Sequence, residues 1–179
     1  MFGKINSRNR RNSGGVRALR AQALVEFSIA LPVLLMLLIG IMEVSRMLFM
    51  YASVVNSSRD AVRYASAYGR SEDLGDGNLL KYKYCDGIAA TAKASGFFLN
   101  LQDTDIAITY DTGPGGSSLG SCPPATTTGE ASVNVDTGDR VTVTVSAQYN
   151  PMLSLLPLPS RTFTSTSSRT ILGVLDLDN

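Results

Sequence analysis

The spacing of apolar and polar positions changes character three times along the chain. From Phe27 to Met42 there is no charged residue, and apolar side chains would cover every face of a helix. Extended back to Gln22, the segment rises about 31 Å as a helix, enough to cross the hydrocarbon core; the uncharged part alone gives about 24 Å. Glu26 therefore falls at the edge of the span or just inside it, and Pro32 falls within the apolar run.

After Met42 the pattern becomes one-sided. Val44, Met47, Leu48, Tyr51, Val54, Val55, Ala61, Val62, Ala65 and Tyr68 recur at helical spacing, while Arg46, Ser57, Arg59, Asp60 and Arg63 fall largely on the other side. Asp60 and Arg63 are placed to pair at i,i+3. Gly69 is the expected stop, followed by a turn-rich loop, "RSEDLGDGN". "NLLKYKYCDGIAATAKASGF" then predicts a shorter helix from about Asn78 to Ala94, bent near Asp86 and Gly87.

The third pattern has a period of two. "TDIAITY" and "DRVTVTVSA" alternate Ile, Tyr and Val with Ala, Thr and Ser, and "SRTFTSTSSRTIL" predicts a last strand. Between the first two, "DTGPGGSSLGSCPPATTTGE" has the composition of a long loop, and "NPMLSLLPLPS" that of an apolar, Pro-bounded one. The expected fold class is α+β: a long N-terminal helix, transmembrane and then amphipathic, followed by a small domain with a short helix and a few antiparallel strands. The expected divisions are a basic leader over 1–21, without periodicity and read as disordered, a transmembrane segment over 22–42, an amphipathic extension over 43–69, and a domain over 70–179.

Charge sets the orientation. Lys4, Arg8, Arg10, Arg11, Arg17 and Arg20 precede Ala21 with no acid among them, whereas from Gln22 onward 10 basic residues face 15 acids. An Arg-rich head directly before an apolar run marks a cytoplasmic flank, so the N-terminus stays inside and the rest is exported. Nucleic-acid binding is the weaker reading, because no aromatic or Gly-rich RNA-binding pattern accompanies the arginines.

Candidate chemistry is sparse. With no histidine, the chain lacks the usual general base and the commonest transition-metal ligand. "EDLGDGN" does not have the spacing of a calcium loop, and "TGPGGSSLG" lacks the ending of a phosphate loop. No catalytic residue, cofactor, metal site or small-molecule substrate is therefore expected. Cys85 and Cys122 are the only cysteines. In an exported region an even count favours one disulfide over two free thiols; its loop of about 38 residues would contribute roughly 4 kcal/mol in the chain-entropy model. Glu26 is the residue that stands out, because a carboxylate in lipid costs on the order of 2.5–3.5 kcal/mol at a helix centre. It is either functional or a helix N-terminal acid that complements the dipole.

"RAQALVEFSIALPVLLMLLIGIMEVSRMLFMYASVVNSSRDAVRYAS" closely resembles the N-terminal segment of TadE-like proteins, pilin-like minor components of tight-adherence (Tad, or Flp-type) pilus systems. Glu26, Pro32, Gly40, Glu43, Arg59, Arg63 and Tyr64 fall in the family's order, and "VTVTVSAQYNPMLSLLPLPSRTFTSTSSRT" carries a weaker likeness. The resemblance implies cleavage by a prepilin peptidase after Ala21, making Gln22 the mature N-terminus and Glu26 the fifth mature residue. Where the family usually has glycine before the cut, this chain has Ala21. It also implies that Glu26 sets axial register against a neighbouring N-terminus, that Pro32 bends the helix, and that other pilin-like subunits dock through the N-terminal helix.

The expected role is a non-enzymatic pseudopilin or minor pilin of the bacterial inner membrane, working in pilus assembly and adhesion. Its expected partners are membrane lipid, the prepilin peptidase and fellow subunits. The alternative is a permanently anchored extracytoplasmic binding domain that never enters a fibre. A secreted enzyme released by signal peptidase is disfavoured, since Met42-Glu43-Val44-Ser45-Arg46 is a poor small-residue site.

Overall fold

A computed structural model describes residues 13–67, 80–122, 131, 134–152 and 159–172, with side chains from Gln22 onward. The chain divides into two compact units, Met1–Val44 and Ser45–Asn179. Helix α1 (Ser13–Ser66) contributes to both. It begins at Ser13 rather than at Gln22, so the part of the leader from Ser13 to Ala21 is helical and not the irregular segment expected. The physical reason is cooperativity: once nucleated, a helix extends at little cost through good formers such as Arg17, Ala18, Leu19 and Arg20. The expected stop at Gly69, the loop after it and the centre of "NPMLSLLPLPS" lie outside the described residues.

In the second unit, α1 turns one stripe inward: Val54, Ala61, Val62 and Ala65 are buried. They join Ile88 and Ala92 of α2 (Cys85–Ser95) and the inner face of a four-stranded sheet. The fold is α+β, as the change of periodicity predicts. Its strands are β1 (Ile106–Asp111), β2 (Ser118–Ser121), β3 (Arg140–Tyr149) and β4 (Arg161–Thr170), in the antiparallel order β2-β1-β3-β4. Alternation sorts β3 cleanly: Val141, Val143, Val145, Ala147 and Tyr149 are buried, and the residues between them turn outward. On the outer face Thr142–Ser168, Thr144–Thr166 and Ser146–Thr164 form cross-strand hydroxyl pairs at 2.8–3.0 Å.

Hydroxyls also join helix to sheet. Ser58 Oγ donates to the Val55 carbonyl at 3.0 Å and lies 2.9 Å from both Ser165 Oγ and Ser167 Oγ of β4. One donor and two lone pairs are thereby used, so this buried serine is fully satisfied. Ser57 donates to the Ala92 carbonyl at 2.6 Å and Ser95 to Asp60 at 2.9 Å, tying α1 to α2. Asp60 and Arg63 do meet, at 4.0 Å and largely exposed, a geometry that contributes little.

Two elements differ from expectation. The short helix begins at Cys85, because Tyr84 (φ −86°, ψ 84°) is not helical; upstream, Lys81–Lys83 form only a 3-10 turn. It passes through Asp86 and Gly87 without a break. Gly87 serves packing, since a Cβ there would lie 2.3 Å from Tyr84 Cδ1 and 2.8 Å from the Tyr64 hydroxyl. The segment expected as a long loop contains β2, whose register against β1 slips between Tyr110 and Asp111. Gly120, opposite Tyr110, has φ +132°, a conformation that a residue with a Cβ rarely adopts.

Cys85 at the start of α2 and Cys122 just after β2 are joined by a disulfide, with their Cα atoms 5.8 Å apart. Beside it, the buried Tyr110 donates its hydroxyl to the Tyr82 carbonyl at 2.6 Å, and burial pushes its pKa above the ordinary tyrosine value. At the far end of β1 and β3, Arg140 grips Asp111 through two bonds, Nε to Oδ1 at 2.7 Å and Nη2 to Oδ2 at 3.0 Å. That contact holds the Asp111 carboxyl below the usual carboxylate range; burial opposes the shift and the Gly113 N–H adds to it.

Candidate functional site

The described part of the first unit is helical, and most of its apolar side chains are exposed. Leu24, Val25, Phe27, Ile29, Val33, Leu34, Leu35, Met36, Leu37, Leu38, Ile41 and Met42 are all exposed. An all-round apolar surface of this kind is costly in water, and α1 is long and apolar enough to cross a membrane. The sequence puts an acid on this surface, and helical geometry decides which neighbours it has. Glu26 shares one face with Ile29, Ala30, Val33, Leu34 and Leu37, the i+3, i+4, i+7, i+8 and i+11 positions.

The carboxylate is held by its own helix. Gln22 Nε2 donates to Glu26 Oε1 at 3.1 Å, an i,i+4 contact one turn back. A carboxylate offers about four lone-pair sites, so capacity remains for a cation brought by another chain. Among the described residues of this unit Ser28 is also satisfied, donating to the Val25 carbonyl at 2.8 Å. Pro32 lies inside the helix and has no N–H for the Ser28 carbonyl, which removes one rung of the backbone ladder here. Small Gly40 has nothing within 4 Å of where a Cβ would stand, so its lack of a side chain leaves open space on the helix. Ala21, the residue before the expected cut, is helical, and its side chain lies outside the description.

The expected site residues thus fall into separate places. Gln22 and Glu26 are in contact, Pro32 lies farther along the same helix, and the Cys85–Cys122 bridge belongs to the second unit. The Gln22–Glu26 contact went unread in the sequence, although i,i+4 spacing of an amide and an acid is a usable signal. Of the other residues carrying the resemblance, Glu43 is buried, Arg59 and Arg63 are exposed, and Tyr64 is half-buried with Lys81 Nζ 5.7 Å from its ring centre. Among the described residues no group of three or more His, Cys, Asp or Glu side chains is arranged to hold a metal ion.

No curated protein and no solved structure matches the chain. A family model described as TadE-like protein matches residues 21–63. The match opens on Ala21, contains Gln22, Glu26, Pro32 and Glu43, and closes on Arg63, so it covers the exposed apolar helix and the buried stripe as far as Val62. Over residues 21–63, therefore, the chain is similar to TadE-like proteins.

Proposed function

We propose that the chain is a membrane-anchored, non-enzymatic minor pilin of a Tad/Flp-type pilus, placed in the inner membrane with its N-terminus cytoplasmic and its sheet-bearing unit exported. The observation that carries this reading is Glu26 on an otherwise apolar, outward-facing helix surface, within the segment matched by the TadE-like model. A prepilin peptidase cuts after Ala21. The new amino group at Gln22 of one subunit then pairs with Glu26 of its neighbour, while the Gln22 side-chain amide holds that subunit's own carboxylate in place. An ion pair formed in lipid is strongly preferred to an unpaired carboxylate there, so it fixes the axial register of packed helices that apolar contacts alone would leave free to slide. Pro32, by removing a backbone bond, lowers the resistance of the helix to bending as it passes from lipid into a bundle. Adhesion follows from the fibre.

Ala21 in place of the family's glycine favours a second reading, an uncut and permanently anchored exported binding domain. Mass spectrometry of membrane-extracted protein separates the two: a chain beginning at Gln22 is expected, and recovery of uncut protein alone would overturn the processed form. Glu26→Ala is expected to insert normally but to fail in assembly. Full piliation by that variant would remove the register role.

A further inference from the structure

Strand β4 stands at one edge of the sheet, and among the described residues nothing pairs with its outer side. Its register with β3 runs unbroken from Tyr149–Arg161 to Arg140–Thr170, without a bulge to twist the edge away. Between Arg161 and Arg169 every residue except Phe163 is Thr or Ser, so no charge guards the middle of the strand. A long, regular edge of this kind offers a row of backbone N–H and C=O groups to a further strand.

Charge marks the two ends. Arg161 lies opposite Tyr149 and Arg169 opposite Val141, both buried, so each arginine stands on the helix-facing side of the sheet. Arg169 continues the row of Ser165 and Ser167, which meet Ser58 of α1. Here β4 and α1 bound a groove of about 410 Å³, which Arg169 lines together with Arg59 and Arg63 of the helix. Arg59 and Arg63 are one turn apart, a spacing at which like charges repel. Among the described residues Asp60 is the one acid on the groove, and it is already engaged: Oδ2 accepts from Ser95 Oγ at 2.9 Å, and Oδ1 lies 4.0 Å from Arg63. Three of the 10 basic residues found from Gln22 onward thus share one groove, in a stretch where acids outnumber bases.

We infer that β4 and this groove bind an extended, acidic segment of another protein chain, which adds to the sheet edge and sets carboxylates at alternate positions against Arg59, Arg63 and Arg169. Each half of the site specifies half of the ligand. The unpaired edge takes an extended backbone, and guanidinium groups take carboxylates through paired hydrogen bonds. Alternate side chains of a strand share a face, so a segment with Asp or Glu at every second residue turns its acids to the groove and its other residues to solvent. Neutral and basic strands gain nothing from the arginines. The charges that guard the edge against indiscriminate pairing therefore also select the partner. This surface lies wholly in the second unit, is separate from the apolar helix, and does not depend on a cut after Ala21.

A fluorescein-labelled peptide, Thr-Asp-Thr-Asp-Thr-Asp-Thr, is titrated with the full-length protein in uncharged detergent micelles and followed by anisotropy. Binding is expected at low salt and should weaken as salt is added, with none for the peptide that has Lys in place of Asp. Methylation of the peptide's backbone nitrogens keeps its charge and removes its strand donors, and is expected to abolish binding. Arg169→Gln and Arg59→Gln are each expected to weaken binding about tenfold with the protease resistance of the second unit unchanged, and Lys83→Gln to leave binding as it was. Equal binding of the methylated peptide leaves a bare anion site and overturns the added strand. Undiminished binding to Arg169→Gln and Arg59→Gln overturns the groove. Absence of binding by the unmodified peptide overturns the inference as a whole, and that arm uses the unaltered protein. Loss of peptide binding through self-association at higher protein concentration assigns the edge to a second copy, which also overturns it.

Discussion

Along α1 the apolar side chains between Leu24 and Met42 face outward, Leu24 and Ile29 at 69 %, whereas Val54, Ala61, Val62 and Ala65 farther on are buried at 3 % or less. Both stretches are helical, and both are rich in apolar residues. They differ in how those residues are distributed: all round in the first, on one stripe in the second. The second meets a sheet that belongs to the same chain. The first leaves most of its apolar side chains exposed and is long and apolar enough to cross a membrane. Helix formation is thus common to both, and the number of apolar faces separates a stripe packed on protein from a run able to cross a membrane.

A charge introduced into each stretch should separate the two most sharply. Leu35→Asp is expected to cost about 2.5–3.5 kcal/mol of insertion and to deplete the protein from alkali-washed membranes, with the disulfide-bonded unit still resistant to protease. Val54→Asp places an unpaired charge in the core, on the order of 4 kcal/mol. It should leave the protein in the membrane and make that unit protease-sensitive. Identical outcomes for the two variants would mean that the stretches are not independent. Replacing both cysteines, Cys85→Ser with Cys122→Ser, should lower the stability of the second unit by about 2–5 kcal/mol, read as a fall in its thermal midpoint, with membrane retention unchanged.

The smallest expected effect is a pH dependence confined to the second unit. Because Arg140 lowers the folded-state pKa of Asp111, the unfolded chain takes up the proton first as acid is added. The stabilisation is therefore complete above the ordinary aspartate value of about 3.9, and is lost as pH falls from there through the lower folded value. For a partly exposed pair it amounts to on the order of 1 kcal/mol. Asp111→Asn should remove this part of the acid slope in denaturant titrations; an unaltered slope would rule the pair out as its source.

Where the sequence carries a sustained period, the fold was legible. The apolar run, the stripe through Ala65 and the alternation in β3 each repeat often enough to determine a face. β2 was not legible, because Ser118-Leu119-Gly120-Ser121 has loop composition and is a strand only through its pairing with β1. Gly87 misled for a related reason: glycine reads as a breaker, but here it makes room for Tyr84 and Tyr64. At the candidate site, the position of Glu26 was plain from composition, while its neighbours on the helix face required geometry. Phe97 and Phe98, following a helix in sequence, would pass for core residues; their exposure is a tertiary fact.

The Cys85–Cys122 bridge also has a mechanical consequence. When tension is applied along α1, load enters the second unit through that helix. The residues between the two cysteines, 37 positions apart, could otherwise pay out roughly 130 Å of chain. With the bridge closed, force crosses 5.8 Å between the paired Cα atoms instead, and α2, β1 and β2 lie outside the load path. Reduction would remove that limit, and because this chain can be paid out only as α2, β1 and β2 unravel, it would lower the resistance of the unit to load.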